Sequence, residues 1–229
     1  KIYINTGNGW SSQSSTWALP GYSSWDLSPY VDLYGLAEVY FPDLNGDGSP
    51  DLLERVGEGG QPPAERNYAF INNGNGWTKD SAWKLPELPN QMRSEKCEYN
   101  TSMYRDEGNL KIHFPDLNGD GLADLVQTTK YYCDAFPANL NMDFQYINNG
   151  SGWTLTNNWS FKNTIPWMDQ LHPNNGGMPF RIYFSDINND SLADAIVKYS
   201  DTNGMHINVY LNTSSGWATD SAWNFPRNS

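Results

Sequence analysis

Short apolar runs rich in aromatic and β-branched residues recur along this chain, separated by clusters of glycine, asparagine, aspartate, serine and proline. Three runs are alike: Glu38-Val39-Tyr40-Phe41, Lys111-Ile112-His113-Phe114 and Arg181-Ile182-Tyr183-Phe184. A second set follows a polar stretch in each case: Leu52-Leu53, Leu125-Val126 and Ala195-Ile196-Val197. Residues of this kind favour strands. A third set leads into a glycine turn and a tryptophan, at residues 2–10, 69–77, 145–153 and 209–217. Asn and Gly tolerate positive φ, so these turns predict hairpins. A second tryptophan follows each: Trp17, Trp83, Trp159 and Trp223. A hydrophobic-proline pair is then expected to end the strand: Leu19-Pro20, Leu85-Pro86, Ile165-Pro166 and Phe225-Pro226. No long segment has helical periodicity.

The repeating unit therefore reads strand, polar loop, strand, variable loop, strand, Asn/Gly turn, strand. Four antiparallel strands in roughly 70 residues predict an all-β, β-propeller-like array of four-stranded blades. Tryptophans at fixed places in every unit are expected to pack between neighbouring sheets, in preference to forming a ligand platform. The chain divides as a single array into a half repeat with its following loop (1–34) and three full repeats (35–86, 87–166 and 167–229). A half repeat leaves open strand edges, which proteins pair or cover. Either missing propeller sequence completes the structure, or chains self-associate head to tail into a ring or filament.

The polar stretch of each unit carries the chemistry. It reads Asp43-Leu44-Asn45-Gly46-Asp47-Gly48-Ser49-Pro50-Asp51 and returns as Asp116-Leu117-Asn118-Gly119-Asp120-Gly121-Leu122-Ala123-Asp124. The third copy is Asp186-Ile187-Asn188-Asn189-Asp190-Ser191-Leu192-Ala193-Asp194. Positions one, three, five and nine bear side-chain oxygens. Position seven (Ser49, Leu122, Leu192) adds a backbone carbonyl. Several oxygens on a tight loop are what a hard cation such as Ca²⁺ requires, and about three ions are expected. Gly48 and Gly121 permit the sharp turn. The plain alternative is an Asp/Asn/Gly surface turn. Recurrence at matching places in three repeats favours the ion, because crowded carboxylates without one repel each other. An EF-hand would lie between helices and close with an acid at position twelve. Here that position holds Glu54, Gln127 and Val197, and strands flank the loops.

Charge fits this picture. The 229 residues carry a net charge of −12, and nine aspartates lie in the three loops. Three divalent ions would halve that charge. Lys and Arg are few and scattered, which argues against nucleic acid. No apolar run is long enough to span a bilayer, so no membrane insertion is expected. The N-terminus lacks a signal peptide and an initiator methionine, so a processed or excised piece is expected. Cys97 and Cys133 lie in insertions on either side of the second polar loop. A disulfide joining them is expected, as in extracellular proteins, with free thiols as the alternative.

The Phe-Pro-Asp-Leu-Asn-Gly-Asp-Gly loop followed by Phe-Ile-Asn-Asn-Gly-Asn-Gly-Trp, or Tyr-Ile-Asn-Asn-Gly-Ser-Gly-Trp in the second repeat, resembles the VCBS and FG-GAP repeat family, over essentially the whole chain. The resemblance implies Ca²⁺-binding β-propellers, as in integrin α-subunits, some fungal lectins and bacterial toxin-complex or Rhs-type surface proteins. The chain departs from the integrin form in lacking Phe-Gly and Gly-Ala-Pro signatures. It also has Ser191 where glycine is usual, so the third site is expected to be weaker.

Individuality is expected in the loops at 21–35, 87–109 and 167–179. Trp25 beside Asp26, and Trp167 near Asp169, are sugar-stacking candidates; the alternative is that they pin down long loops. Five Asn-X-Ser/Thr sequons occur, at Asn100, Asn149, Asn158, Asn189 and Asn212. Asn212 matches Asn5, Asn72 and Asn148, which also allows a repeated structural role. No catalytic motif is present. His113 stands where Tyr40 and Tyr183 do, and His172 and His206 have no identifiable partner in sequence. The expected function is a non-enzymatic extracellular calcium-binding protein with a structural or adhesive role. The alternative is a lectin-like module binding glycans.

Overall fold

The computed structural model describes residues 6–11, 37–56, 67–86, 110–130, 141–161, 181–201 and 204–223. Among them are three four-stranded antiparallel sheets, each a simple meander. The first comprises β1 (Ala37–Tyr40), β2 (Leu52–Val56), β3 (Asn67–Asn72) and β4 (Trp77–Lys79). The second comprises β5 (Leu110–His113), β6 (Leu125–Lys130), β7 (Asn141–Asn148) and β8 (Trp153–Thr156). The third comprises β9 (Arg181–Ser185), β10 (Asp194–Asp201), β11 (Gly204–Asn212) and β12 (Trp217–Thr219). The chain is all-β, with one unit of sequence forming one sheet.

Register follows from the two fixed turns of each unit. The polar loop sets Tyr40 against Leu53, and the Asn/Gly turn sets Asn72 against Trp77. Matching pairs recur as His113 with Val126 and Asn148 with Trp153, then Tyr183 with Ile196 and Asn212 with Trp217. The sequence reading carried the last strand through the second tryptophan to a proline. The strand in fact stops at Lys79, Thr156 and Thr219. Trp83 and Trp159 stand beyond its end, and Trp223 ends a short 3-10 turn, Ser221–Trp223. Phe161, two residues after Trp159, is fully buried, as Leu85 is after Trp83. Ile165-Pro166 lies outside the described residues, as do residues 1–5, Trp17, Trp25, Cys97, Asn100, Cys133, Trp167, His172 and Phe225.

Consecutive residues of the second strand are buried: Leu52 with Leu53, and Leu125 with Val126. Neighbours on a strand point to opposite faces, so both faces of these strands are covered. The chain forms two compact units, one of residues 1–86 with Gly150–Gly152, the other of residues 87–149 and 153–229. The second and third sheets belong to the latter unit and share a core. Leu117, Val126, Trp159 and Phe161 meet Ile182, Ala195, Val197 and Tyr210, with Ile147, Phe184, Tyr199 and Trp217 at the margin. The His113 ring meets Phe184 edge-on at 5.3 Å, so it serves as packing. Phe161 stacks on Trp217 at 5.1 Å. Such ring pairs add to the stabilisation from burial itself.

Polar contacts fix how these two sheets meet. Asn212 donates its Nδ2 to the Leu117 carbonyl at 2.7 Å and accepts Trp159 Nε1–H on its Oδ1 at 2.9 Å. Trp217 Nε1 donates to the Trp159 carbonyl at 2.7 Å, and the Ala193 N–H to the Asp116 carbonyl at 3.0 Å. Asn212→Ala leaves a buried indole N–H and a buried carbonyl without their partner. Its expected cost is on the order of 3 kcal/mol. Among the described residues Asn72 makes only local carboxamide bonds, to the Pro50 carbonyl and the Gly74 N–H. Asn72→Ala should therefore cost about half as much. Urea unfolding of the two variants checks the ranking, and equal losses would remove Asn212 from its bridging role.

Candidate metal centres

In each polar loop the side chains fold inward onto their own backbone. Asp43 accepts N–H groups from Gly46 and Gly48, both at 2.8 Å, one on each carboxylate oxygen. Asn45 Oδ1 accepts from Asp47 N–H at 3.0 Å, and Asp47 Oδ1 from Ser49 N–H at 2.8 Å. Asn45 Nδ2 also donates to Asp47 Oδ2 at 3.0 Å. The second loop repeats this through Asp116, Asn118 and Asp120, with Leu122 N–H in the place of Ser49 N–H. The third does so through Asp186, Asn188 and Asp190, with Leu192 N–H in that place; there Asp186 Oδ1 accepts from Asp190 N–H. Positions one, three and five are thus tied together within each loop.

The ninth aspartate has another place. Asp51 is fully buried; its Oδ2 accepts Leu44 N–H at 2.8 Å and its Oδ1 accepts Asn72 N–H at 2.7 Å. Asp124 binds Leu117 and Asn148 N–H in the same way, and Asp194 binds Ile187 and Asn212 N–H. Sequence reading counted this residue among the four side-chain ligands of each loop. The structure makes it a clamp between the loop's second residue and the end of the third strand. Among the described residues no three His, Cys, Asp or Glu side chains form a group able to hold a metal ion. Each loop ties two acids and an asparagine together, and the ninth-position acid is buried against backbone N–H groups. The donor chemistry nonetheless fits a hard cation. A carboxylate oxygen has two lone-pair positions, so accepting one N–H leaves another available.

Electrostatics follow this division. Hydrogen bonds from Asn45 and then Ser49 hold the Asp47 carboxyl below the usual carboxylate range. Burial pushes Asp51 up, against the pull of its two N–H donors, and the charges of Asp47 and Asp43 add to the rise. Burial likewise pushes Asp124 up, to about 6, with Asp120 and Asp116 adding to it.

Glycine does specific work here. Gly46, Gly48 and Gly74 adopt φ of 75°, 82° and 78°, a left-handed conformation that a side chain strains. The third repeat places Asn189, Ser191 and Ser214 there, at φ of 63°, 70° and 63°. Asn accepts this conformation more readily than Ser.

The remaining candidates fall as follows. Asn149 is exposed at a hairpin tip, donating Nδ2 to Thr154 Oγ1 at 3.0 Å. Asn158 and Asn189 are exposed. Asn212 is buried with its carboxamide engaged on both sides, which rules it out as a glycan acceptor in the folded chain. His206 is buried and stacks on Tyr199 at 4.7 Å. Sequence reading noticed the recurring asparagine of the third strand without its partner. That asparagine and the ninth aspartate stand 21, 24 and 18 residues apart in the three repeats, so no fixed spacing paired them; the only signal was that each recurs once per unit. Compared with known proteins, the chain matches no family model and no curated protein.

Two expected outcomes follow. Ser191→Gly should relieve left-handed strain of about 1–2 kcal/mol while adding glycine's unfolded-state entropy, about 0.5–1 kcal/mol. The melting temperature should rise by about 1–3 °C; Gly121→Ser should lower it. Asp124 titrates near 6 folded against an ordinary 3.8, so its raised value stabilises the ion-free fold below pH 3.8. That contribution is lost as pH rises to 6. Chelator-stripped protein should therefore melt lower at pH 6.5 than at pH about 4.5. Melting curves across that window check the sign, and a rising trend would refute it.

Proposed function

We propose that this chain is a non-enzymatic, extracellular calcium-binding repeat protein with a structural or adhesive role, its sheets arranged as blades of a β-propeller-like array. The observation that carries the reading is a hydrogen-bond wiring shared by three loops, with one donor shifted in the third. Each gathers two aspartates and an asparagine on a loop braced by a buried aspartate. The core shared by the second and third sheets supports the blade arrangement. No helix among the described residues is long and apolar enough to cross a membrane.

In this reading Asp43, Asn45, Asp47 and the Ser49 carbonyl hold the first ion. Asp116, Asn118, Asp120 and Leu122 hold the second, and Asp186, Asn188, Asp190 and Leu192 the third. Asp51, Asp124 and Asp194 stand behind them, adding negative charge and holding each loop in shape. The ion, when bound, offsets repulsion among the carboxylates; it does no chemistry on a substrate. The loops then act as staples that make folding depend on calcium, as suits a calcium-rich exterior.

Isothermal titration with Ca²⁺ tests this. About three sites are expected, with dissociation constants of roughly 10⁻⁴–10⁻³ M and the Ser191 loop weakest. Saturating Ca²⁺ should raise the melting temperature and chelator reverse it, since the ion binds the folded loops. Asp47→Ala and Asp120→Ala should each remove one site. No heat and no thermal shift would sink the reading.

A further inference from the structure

The first two polar loops bring the parts of a chemical step together around one dipeptide. Positions three and four read Asn then Gly, as Asn45-Gly46 and Asn118-Gly119. An asparagine side-chain carbon is open to attack by the backbone nitrogen of the next residue. Glycine, having no Cβ, hinders that nitrogen least. In the first loop every group such an attack involves is held by a hydrogen bond. Gly46 N–H, on the attacking nitrogen, donates to the Asp43 carboxylate at 2.8 Å, so a base already sits on the proton to be lost. Asn45 Oδ1 accepts the Asp47 N–H at 3.0 Å, at the oxygen where negative charge builds. Asn45 Nδ2, the group to be expelled, donates to Asp47 Oδ2 at 3.0 Å, which fixes the carboxamide's orientation. Asn45 is exposed, so water reaches it.

The second loop repeats all three contacts. Gly119 N–H donates to Asp116 Oδ1 at 2.7 Å, Asp120 N–H to Asn118 Oδ1 at 3.0 Å, and Asn118 Nδ2 to Asp120 Oδ2 at 2.9 Å. The third loop keeps the last two, at Asn188 and Asp190, and changes the first. Its position four is Asn189, whose side chain crowds the attacking nitrogen. Asp186 Oδ1 there takes the Asp190 N–H, at 3.1 Å.

A hairpin of the first repeat shows what the carboxylate adds. Asn73-Gly74 is the same dipeptide, and Asn73 Oδ1 likewise accepts an N–H, from Asn75 at 3.0 Å. Gly74 N–H, however, donates to the carboxamide oxygen of Asn72 at 2.9 Å, and Asn73 Nδ2 to the Thr78 hydroxyl at 3.0 Å. A neutral carboxamide oxygen accepts a hydrogen bond without being a base of carboxylate strength. The hairpin has the dipeptide and the held oxygen, with a weaker base on the nitrogen.

We infer that Asn45 and Asn118 are sites of spontaneous deamidation, promoted by the carboxylates and backbone of their own loops, and that Asn188 is spared. The Gly46 nitrogen bonds to Asn45 Cγ. Its proton passes by way of Asp43 and water to Nδ2, and the Cγ–Nδ2 bond breaks to release ammonia. The cyclic imide left behind takes up one water. Opening at Cγ leaves aspartate; opening at the backbone carbonyl leaves isoaspartate, with the chain rerouted through the side chain. Asn118 reacts in the same way with Gly119 and Asp116. Either product loses the Nδ2 donor and adds a negative charge to a loop that already holds two carboxylates at positions one and five. The first two loops therefore carry a record of the protein's age that the third does not. The inference goes beyond the calcium reading and stands without it.

Timed incubation of the full chain at neutral pH, below its melting temperature, followed by peptide mass spectrometry tests this. Chelator in the buffer keeps metal ions out of the result. Asn45 and Asn118 should convert about tenfold faster than Asn73, a barrier difference of about 1.4 kcal/mol. Asn188 should remain intact while they convert. In urea the rates of Asn45, Asn118 and Asn73 should converge, because the dipeptide is the same and the bracing is gone. Asp43→Asn should slow Asn45 to the rate of Asn73 and leave Asn118 unchanged; Asp116→Asn should do the reverse. Each variant thus carries an unaltered loop as its reference. Equal rates at Asn45, Asn118 and Asn73 in the folded chain overturn the inference. So does conversion of Asn188 in step with them, or a variant in which both loops change together.

Discussion

A buried carboxylate with two backbone N–H donors, built three times, is the contact on which each unit turns. Asp51, Asp124 and Asp194 join the second residue of a loop to the end of a strand encoded 18 to 24 residues later. Burying a carboxylate is costly unless hydrogen bonds satisfy it. That cost makes the geometry selective: a register slip would strand the charge without donors. The clamp thereby sets where the first hairpin ends and where the third strand must turn. Asn72, Asn148 and Asn212 finish the turn by returning their Nδ2 to the carbonyl before the aspartate.

Lateral packing is a separate layer of the design. Asn212 completes its own clamp and then reaches the Leu117 carbonyl of the neighbouring sheet. Trp159 and Trp217 interlock through an N–H to a carboxamide and an N–H to a carbonyl. Neighbour contacts of this kind give a fold whose stability is nearly a sum over units and their junctions. A tryptophan is well suited to the junction, because it buries a large ring and still needs one acceptor in one place.

Much of this was legible in the chain. Runs such as Lys111–Phe114 and Leu125-Val126 gave the strands, and the Asn/Gly turns gave their pairing. Repetition marked the tryptophans as packing residues, which holds for the buried Trp83 and Trp159, whereas Trp10 and Trp223 are exposed. What spacing could not reveal was direction. Asp47 and Asp51 are both loop aspartates, yet one is exposed and the other wholly buried. The choice depends on donors from Asn72, distant in sequence. Phe161 was missed because a proline pair drew attention to Ile165, whereas burial is decided by distance from Trp159. Asn212 read as a sequon because three letters do not record that its carboxamide is engaged.

The two layers differ in how they tolerate genetic change. The clamp closes within one unit, while the tryptophan junction asks only that a neighbour present the same turn. A tandem duplication of a whole unit would leave every clamp intact and supply every new junction with both halves. Duplication of part of a unit would separate an aspartate from its donors. Selection should therefore admit changes in array length mainly in whole steps, with the loop between the second and third strands free to vary in size. The first and second repeats already differ there, by the three residues that separate 21 from 24 between aspartate and asparagine.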